Sequence, residues 1–368
     1  MDDLDPRLVR APASGRLRVA AWPKPARWAL LLALSVILVA AMELFQLPAA
    51  LLLGPMIAAI LLAVGEAGIR VPNFAFVVAQ AVIGCLMAKA LPASIFIELG
   101  KDWPIYLLGI GSVIVVAAAL GILLTRLRVL PGTTAVWGSA PGAASAMVVM
   151  ADAYGDDARL VAFMTYLRVA LVAVAASLVA RFATTGDGVM AAPEWFPPID
   201  WIGFAGTLAV AAVGIVVALR TRVRGGGMLV PMFLGAGLQN FFGLEIVLPP
   251  ALLAICYALL GWTIGLRFTR DILGHAARAF PAILASMLAL IGICGVFALL
   301  LVQFAGVDLL TAYLATSPGG ADSVAIIAAN SPVDMPFVMA MQAGRLIVVM
   351  LTGPPLARWI ATRRWLHG

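Results

Sequence analysis

Histidine is almost missing from this chain: His275 and His367 are the two that 368 residues contain, and both sit among charged residues. A copper or di-iron centre needs a cluster of imidazole or carboxylate ligands, and no Glu-x-x-His spacing occurs. Metal-dependent membrane oxygen chemistry is therefore the weakest of the functions open to the chain. Cysteine is equally scarce. Cys85, Cys256 and Cys294 fall inside apolar windows with no CxxC spacing and read as reduced packing residues. The GxxxxGK[ST] signature is missing as well, which removes ATP hydrolysis from consideration. The largest deficit is charge: 11% of the residues are charged and 63% hydrophobic, against roughly 25% charged in a soluble domain. The expectation is an integral membrane protein that is not an enzyme and carries no cofactor.

What is present fits that class. Apolar windows near the ~20 residues that span a bilayer core recur along the whole chain and leave no room for a soluble domain. Residues 1–27 mix Arg7, Arg10, Arg16, Arg18, Lys24 and Arg27 with Asp2, Asp3 and Asp5, and no apolar run occurs before position 28. They read as a disordered cytoplasmic tail without a cleavable signal. The net charge of +6 is spread over loops, as the orientation of membrane helices demands, and gives no reason to expect a nucleic-acid partner.

The chain is written twice. An offset of 177 residues carries Pro141 to Pro318, Gly142 to Gly319, Asp157 to Asp334, Met164 to Met341, Arg168 to Arg345 and Gly84 to Gly261. The first copy has apolar windows at about 28–45, 50–65, 73–91, 104–125 and 160–182, with a Pro-Gly stretch at 133–153. The second has them at about 201–219, 228–243, 249–266, 281–303 and 336–356, with its interrupted stretch at 311–331. If both interrupted stretches dip in and return, each copy crosses five times and the second is upside down. Every arginine-dense loop then faces the cytoplasm, while the linker with Asp187, Glu194 and Asp200 faces outward. Lys89 and Lys101 fall on the outer side, accompanied by Glu98 and Asp102. The expected fold is all-α and integral to the membrane: two inverted-topology repeats, each of five transmembrane helices plus one re-entrant Pro-Gly hairpin. Its parts are a cytoplasmic tail 1–27, a first membrane repeat 28–183, an extracytoplasmic linker 184–200, a second membrane repeat 201–360 and a cytoplasmic tail 361–368.

The matched breaks "GSAPGAAS" (138–145) and "TSPGGADS" (316–323) point to a binding site. Irregular backbone at membrane depth survives only inside protein or against a watery cavity, and paired broken helices in inverted repeats mark transporter sites. Ser317 is expected to cap the following helix with Pro318 in its first turn near Gly319 and Gly320. In the first copy Ala140 stands at the cap position and offers no side-chain acceptor, so the amides behind Pro141 and Gly142 are left for an anion. Arg168 and Arg345 lie about nine residues into their windows, roughly 12–13 Å at 1.5 Å per residue. An arginine there costs about 2.5–3.5 kcal/mol and must face a partner or cavity. It either captures a carboxylate or phosphate, or ties together the carbonyls of a broken helix. The candidate substrate-binding set is Ser139, Ala140, Pro141, Gly142, Ala143, Ser145, Thr165, Arg168, Ser317, Pro318, Gly319, Gly320, Ser323, Gln342 and Arg345. Asp322, which replaces Ser145, is expected either to neutralise Arg345 or to serve as a coupling-ion site. Thr165 and Gln342 share the faces of the arginines and offer hydrogen bonds to a substrate or to a neighbouring helix. Asp157 and Asp334 read as loop carboxylates or caps, Pro55 and Pro231 as close-packing points or hinges, and Trp137, Trp195, Trp201 and Trp359 as interface residues.

With "SAPGAAS" and "TSPGGADS" each followed by an arginine-bearing apolar helix, the doubled unit resembles the AbrB family of bacterial membrane proteins, from about position 28 to 360. Members are often labelled ammonia monooxygenases or regulators. The chain lacks the metal ligands for the first label and a soluble DNA-binding domain for the second, so the resemblance implies a fold and is compatible with secondary transport. The leading expectation is a secondary active transporter of a small organic anion by alternating access. Protons or sodium ions are the candidate coupling ions, a homodimer is the expected assembly, and the bacterial inner membrane is the expected site, with both termini cytoplasmic. The alternative is a membrane-embedded sensor that binds a small anion without moving it.

Overall fold

The structure, a computed structural model, describes residues 22–44, 50–91, 100, 103–127, 130, 133–140, 147, 151, 156–183, 198–221 and 226–361, and the side chain of Asp322 lies outside that description. Among the described residues every regular element is a helix. In chain order they are α1 (Lys24–Leu44), α2 (Ala50–Val64), α3 (Asn73–Lys89), α4 (Trp103–Arg126), α5 (Thr134–Ser139), α6 (Ala158–Ala183) and α7 (Trp201–Thr221). There follow α8 (Gly226–Phe242), α9 (Pro250–Gly265), α10 (Arg270–Ala276), α11 (Phe280–Ala305), α12 (Leu309–Thr316), α13 (Ala321–Ala329) and α14 (Met335–Ala361). The period seen in the sequence recurs in the helix starts: Lys24, Asn73, Trp103 and Ala158 are followed 177 residues later by Trp201, Pro250, Phe280 and Met335. Local chemistry sets several ends. Pro72 and Pro249 stand at the N-caps of α3 and α9, where a missing N–H costs nothing. Gly306, in the left-handed region at φ 67°, closes α11.

Four helices are long and apolar enough to cross a bilayer: Lys24–Leu44, Trp103–Arg126, Ala158–Arg181 and Phe280–Ala305. A fifth span forms if α9 and α10, bent by 51° at their junction, are counted together, and shorter apolar helices lie beside them. Leu32, Val36 and Ile37 of α1, Leu107, Leu108 and Val115 of α4, and Val296, Leu299 and Leu300 of α11 point outward. Water would penalise such surfaces, whereas lipid tails accept them. The protein is a multi-pass membrane protein.

The helices pack as two groups. In one, α2 lies against α1 and α9, and α3 lies against α7, α8 and α9. Its centre consists of two crossings in which a proline meets a glycine of the other half. A Cβ on Gly261 would lie 2.6 Å from the Leu52 carbonyl oxygen and 3.3 Å from Pro55 Cβ. A Cβ on Gly84 would run into the Met228 carbonyl oxygen and stand 3.1 Å from Pro231 Cβ. Pro55 and Pro231, both inside helices, are thus points of close approach, and only glycine allows it. The other group joins α4, α5 and α6 to α11, α12, α13 and α14, and meets the first where α10 touches α6 and α13 touches α3.

Candidate functional site

Each interrupted stretch begins and ends in the same place. In the first copy the backbone N–H and hydroxyl of Thr133 both donate to the carboxylate of Asp156, the former at 2.8 Å. Asp157 N–H donates to Thr134 Oγ1 at 3.3 Å. In the second copy Asp334 N–H donates to Thr311 Oγ1 at 2.9 Å, the same pair one period later. The two ends of each stretch therefore meet, tied by a threonine hydroxyl. Trp137 also joins the first tie, its Nε1–H donating to Asp156 at 2.9 Å. It is fully buried, against the expected interface position, because the indole N–H finds an internal carboxylate and no longer needs the headgroup region. Trp195 and the side chain of Trp359 lie outside the described residues, while Trp201 is exposed.

In the second hairpin α12 starts on Asp308, whose carboxylate accepts from Thr311 N–H at 2.9 Å, and stops at Ser317. Pro318 has no N–H, so the Leu314 carbonyl loses its helical donor. Gln342 Nε2 takes that carbonyl at 2.6 Å, and Ser317 Oγ donates to it at 3.0 Å. Arg345 completes the repair: Nη1 donates to the Ser317 carbonyl, and Nη2 donates to the Gly319 carbonyl at 2.7 Å and to Gln342 Oε1 at 2.6 Å. The expected helix start is thereby corrected. Ser317 closes α12, and α13 begins four residues later at Ala321, with Gly320 at its N-cap. The orphaned carbonyl behind Ser317 is a nearer partner for its hydroxyl than any amide ahead. Ser323 Oγ–H donates to the Gly320 carbonyl at 2.9 Å.

The first hairpin is built differently at matching positions. Arg168 donates through Nη1 to the carbonyls of Ser139 at 3.0 Å, Ala140 at 2.9 Å and, more weakly, Gly138 at 3.5 Å. No described hydrogen bond leaves Nη2, and Nε is buried without a partner, as Nε of Arg345 also is. Thr165, where the second copy has Gln342, is too short to reach the arginine and donates to the Val161 carbonyl at 2.8 Å. Ser139 Oγ is buried and unpartnered, whereas its counterpart Thr316 bonds the carbonyls of Ala312 at 2.9 Å and Cys294 at 3.2 Å. Pro141, Gly142, Ala143 and Ser145 lie outside the described residues, as does the side chain of Asp322 and hence its expected pairing with Arg345.

Arg168 and Arg345 are 2% and 4% exposed. Among the described residues neither has an ion-pair partner; the ion pairs found are Arg270–Glu66 and His275–Asp157. Each of the two buried guanidinium groups keeps an unpartnered Nε, which costs about 1–3 kcal/mol in a dry interior. Sequence reasoning missed Asp156, which stands 23 residues from Thr133 with no helical spacing to betray it. It also missed Tyr313, whose hydroxyl is buried and unpartnered. Among the described residues no three His, Cys, Asp or Glu side chains converge as for a metal. An open groove of about 790 Å³ runs between α7 and α8, lined by Ile202, Gly206, Val213, Leu238 and Phe242, with none of the hairpin residues in it.

At the first hairpin's mouth, Asp157 caps α6 through the N–H groups of Arg159 and Leu160 at 3.0 and 3.1 Å. It also meets His275 Nε2 of α10 at 2.6 Å. Partial burial pushes the Asp157 carboxyl up, but the His275 hydrogen bond, the two backbone N–H groups and the histidine's charge together hold it below the usual carboxylate range. Asp334 caps α14 in the same way, accepting from Phe337 N–H at 3.1 Å.

An all-helical multi-pass membrane protein with two matched, arginine-stitched broken hairpins defines the class. Residues 51–361 match the family model described as "Transition state regulatory protein AbrB", and the chain belongs to the AbrB family. It is 47% identical over 339 residues to the Escherichia coli (strain K12) protein named "Putative regulator AbrB", covering 91% of this chain and 97% of that one. It is 25% identical over 309 residues to "Uncharacterized protein YhjN" of Bacillus subtilis (strain 168), covering 78% of each. No solved structure matches the chain.

Proposed function

We propose that the protein is a secondary active transporter of a small organic anion, working by alternating access in a bacterial inner membrane. The observation that carries this reading is the buried Arg168 guanidinium at a helix break, which binds through Nη1 alone and leaves both Nη2 and Nε without a described hydrogen bond, while the Ser139 hydroxyl is unpartnered too. A structural arginine is under no pressure to leave donors unused in a dry interior, because each buried unmet donor costs about 1–3 kcal/mol. A bound anion would use them. The joined bases of the two hairpins support a re-entrant path, which makes each copy cross five times and turns the second over. Two hairpins entering from opposite faces give a central site two routes, as alternating access needs. Protons or sodium are the coupling ions in this reading, with Asp322 as the candidate carboxylate.

The test is uptake of labelled small organic anions by proteoliposomes holding the purified protein, under an imposed proton or sodium gradient. Accumulation that disappears in Arg168→Ala supports transport. Binding without uptake or exchange under either gradient favours the second reading, a membrane sensor, which the word "regulator" in the name of the Escherichia coli relative makes worth separating.

A further inference from the structure

Two recesses adjoin where the C-terminus of α3, the N-terminus of α7 and the α8–α9 loop come together. The open groove between α7 and α8 ends there at Asp200 and Glu245. A smaller recess of about 430 Å³, lined by Lys89, Gln239 and Glu245, shares Gly243, Leu244 and Glu245 with it. Away from this end the groove is apolar, with Ala209, Val213, Leu234 and Leu238 on its walls. From Ile202 to Val213 it follows α7 for about 16 Å at 1.5 Å per residue. Asp200 is held at the mouth, its carboxylate accepting from the N–H groups of Ile202 and Gly203 at 3.2 and 2.9 Å. Lys89 and Glu245 are exposed and line one recess, yet neither belongs to the ion pairs found among the described residues. The first copy packs its own side chains at the matching place. One period from Lys89 stands Leu266, which joins Trp28, Leu62, Ala67, Ile69 and Trp262 in an apolar cluster, and one period from Glu245 stands Gly68.

We propose that the groove between α7 and α8 binds one phospholipid with a primary-ammonium headgroup, phosphatidylethanolamine by chemical class. One acyl chain lies along the apolar walls, the ammonium meets Glu245 and Asp200, and the phosphate turns toward Lys89 and Gln239. A groove that is apolar along its length and charged at one end has the polarity profile of a lipid. A tail alone needs only the walls; the charges at the end select the headgroup. Two carboxylates repel an anionic headgroup, whereas an ammonium donates to both and Lys89 serves the phosphate as a point charge. A choline headgroup has the charge but no N–H to donate. A second copy of this chain fits the face less well, because a two-fold axis would set one concave groove against another and leave both unfilled. This site is independent of the transport reading.

The experiment is native mass spectrometry of the full-length protein, purified in detergent, stripped of lipid and titrated with phosphatidylethanolamine, phosphatidylcholine or phosphatidylglycerol of identical acyl chains. The unfolding midpoint is followed in parallel. One phosphatidylethanolamine per chain is expected to bind about tenfold more tightly than phosphatidylglycerol, with phosphatidylcholine between them. Ala209→Phe, at an exposed position on the groove wall, fills the space for the acyl chain. It is expected to weaken all three lipids by about tenfold while the lipid-free midpoint stays unchanged. Glu245→Gln does not depend on that variant and is expected to remove most of the preference for phosphatidylethanolamine over phosphatidylglycerol. Undiminished phosphatidylethanolamine binding in Ala209→Phe overturns the groove placement. Equal binding of the three lipids by the wild type, binding of none, or an unchanged preference in Glu245→Gln overturns the headgroup assignment. A dimer in detergent that Ala209→Phe dissociates shows the face to be a subunit interface and overturns the lipid site.

Discussion

Around Arg345 three carbonyls and one carboxamide are shared between Arg345, Gln342 and Ser317, and Nε is the one guanidinium nitrogen left without a partner. Around Arg168 a guanidinium at the same depth on the matching helix grips its carbonyls with Nη1 alone and leaves Nε and the Ser139 hydroxyl unmet. Three substitutions between the copies make the difference: glutamine for Thr165, threonine for Ser139 and serine for Ala140. A duplicated unit thus carries one break fastened through both terminal nitrogens of its arginine and a carboxamide, and one fastened through Nη1 alone. Since a buried polar group left unpaired costs more than a made hydrogen bond gains, the second break is the stronger fastening.

That contrast makes its largest claim at the two arginines. Arg345→Ala strands the carbonyls of Ser317 and Gly319 and the Gln342 oxygen, and is expected to cost on the order of 3 kcal/mol or more. Arg168→Ala is expected to cost clearly less in stability while abolishing anion binding. Paired thermal unfolding curves in detergent check this, and equal losses would erase the distinction between the halves. Next come the glycine crossings, where the halves are alike. Gly84→Leu and Gly261→Leu both force a side chain against backbone of the other half, and each is expected to lose about 1–3 kcal/mol. A large loss in one alone would show that only one crossing bears on the fold. The bases of the two stretches differ again, since Asp156 joins the two ends of its stretch and Asp308 caps its own helix. Asp156→Asn and Asp308→Asn are each expected to cost about 1 kcal/mol, and faster proteolysis at the hairpin mouth is expected for the first only.

The smallest effect concerns His275 and Asp157, a pair the second half does not repeat. The folded Asp157 carboxyl titrates below its unfolded value, so its contribution is complete above about pH 4 and fades as the pH falls through the folded value. At these partly exposed positions that contribution is a few tenths of a kcal/mol. His275→Ala is expected to flatten the acid limb of the stability–pH profile slightly, and an unchanged limb would show that the contact carries no energy.

Much of this architecture was legible before any coordinates. Apolar windows locate membrane helices because bilayer thickness sets their length, and the 177-residue period located the helix starts because both copies carry the same local signals. The Pro-Gly breaks and the arginines behind them stood out for the same reason: a proline or a buried charge is costly wherever it occurs. The bond pattern was not legible. Ser317 reads as a helix start and acts as a helix end, because the choice depends on which orphaned group lies nearest once Pro318 has bent the chain. Trp137 reads as an interface residue and is interior, because its partner Asp156 comes from the other end of the hairpin.

The sequence by itself determined the membrane class, the doubling and the positions of the breaks, all of which follow from local costs summed along the chain. Only the tertiary structure decided that the two ends of each interrupted stretch meet, that prolines and glycines of opposite halves cross, and that Arg345 binds through both terminal nitrogens while Arg168 binds through Nη1 alone. Those facts depend on distances between residues far apart in the chain, and a hydrogen bond exists only when folding brings donor and acceptor within about 3 Å.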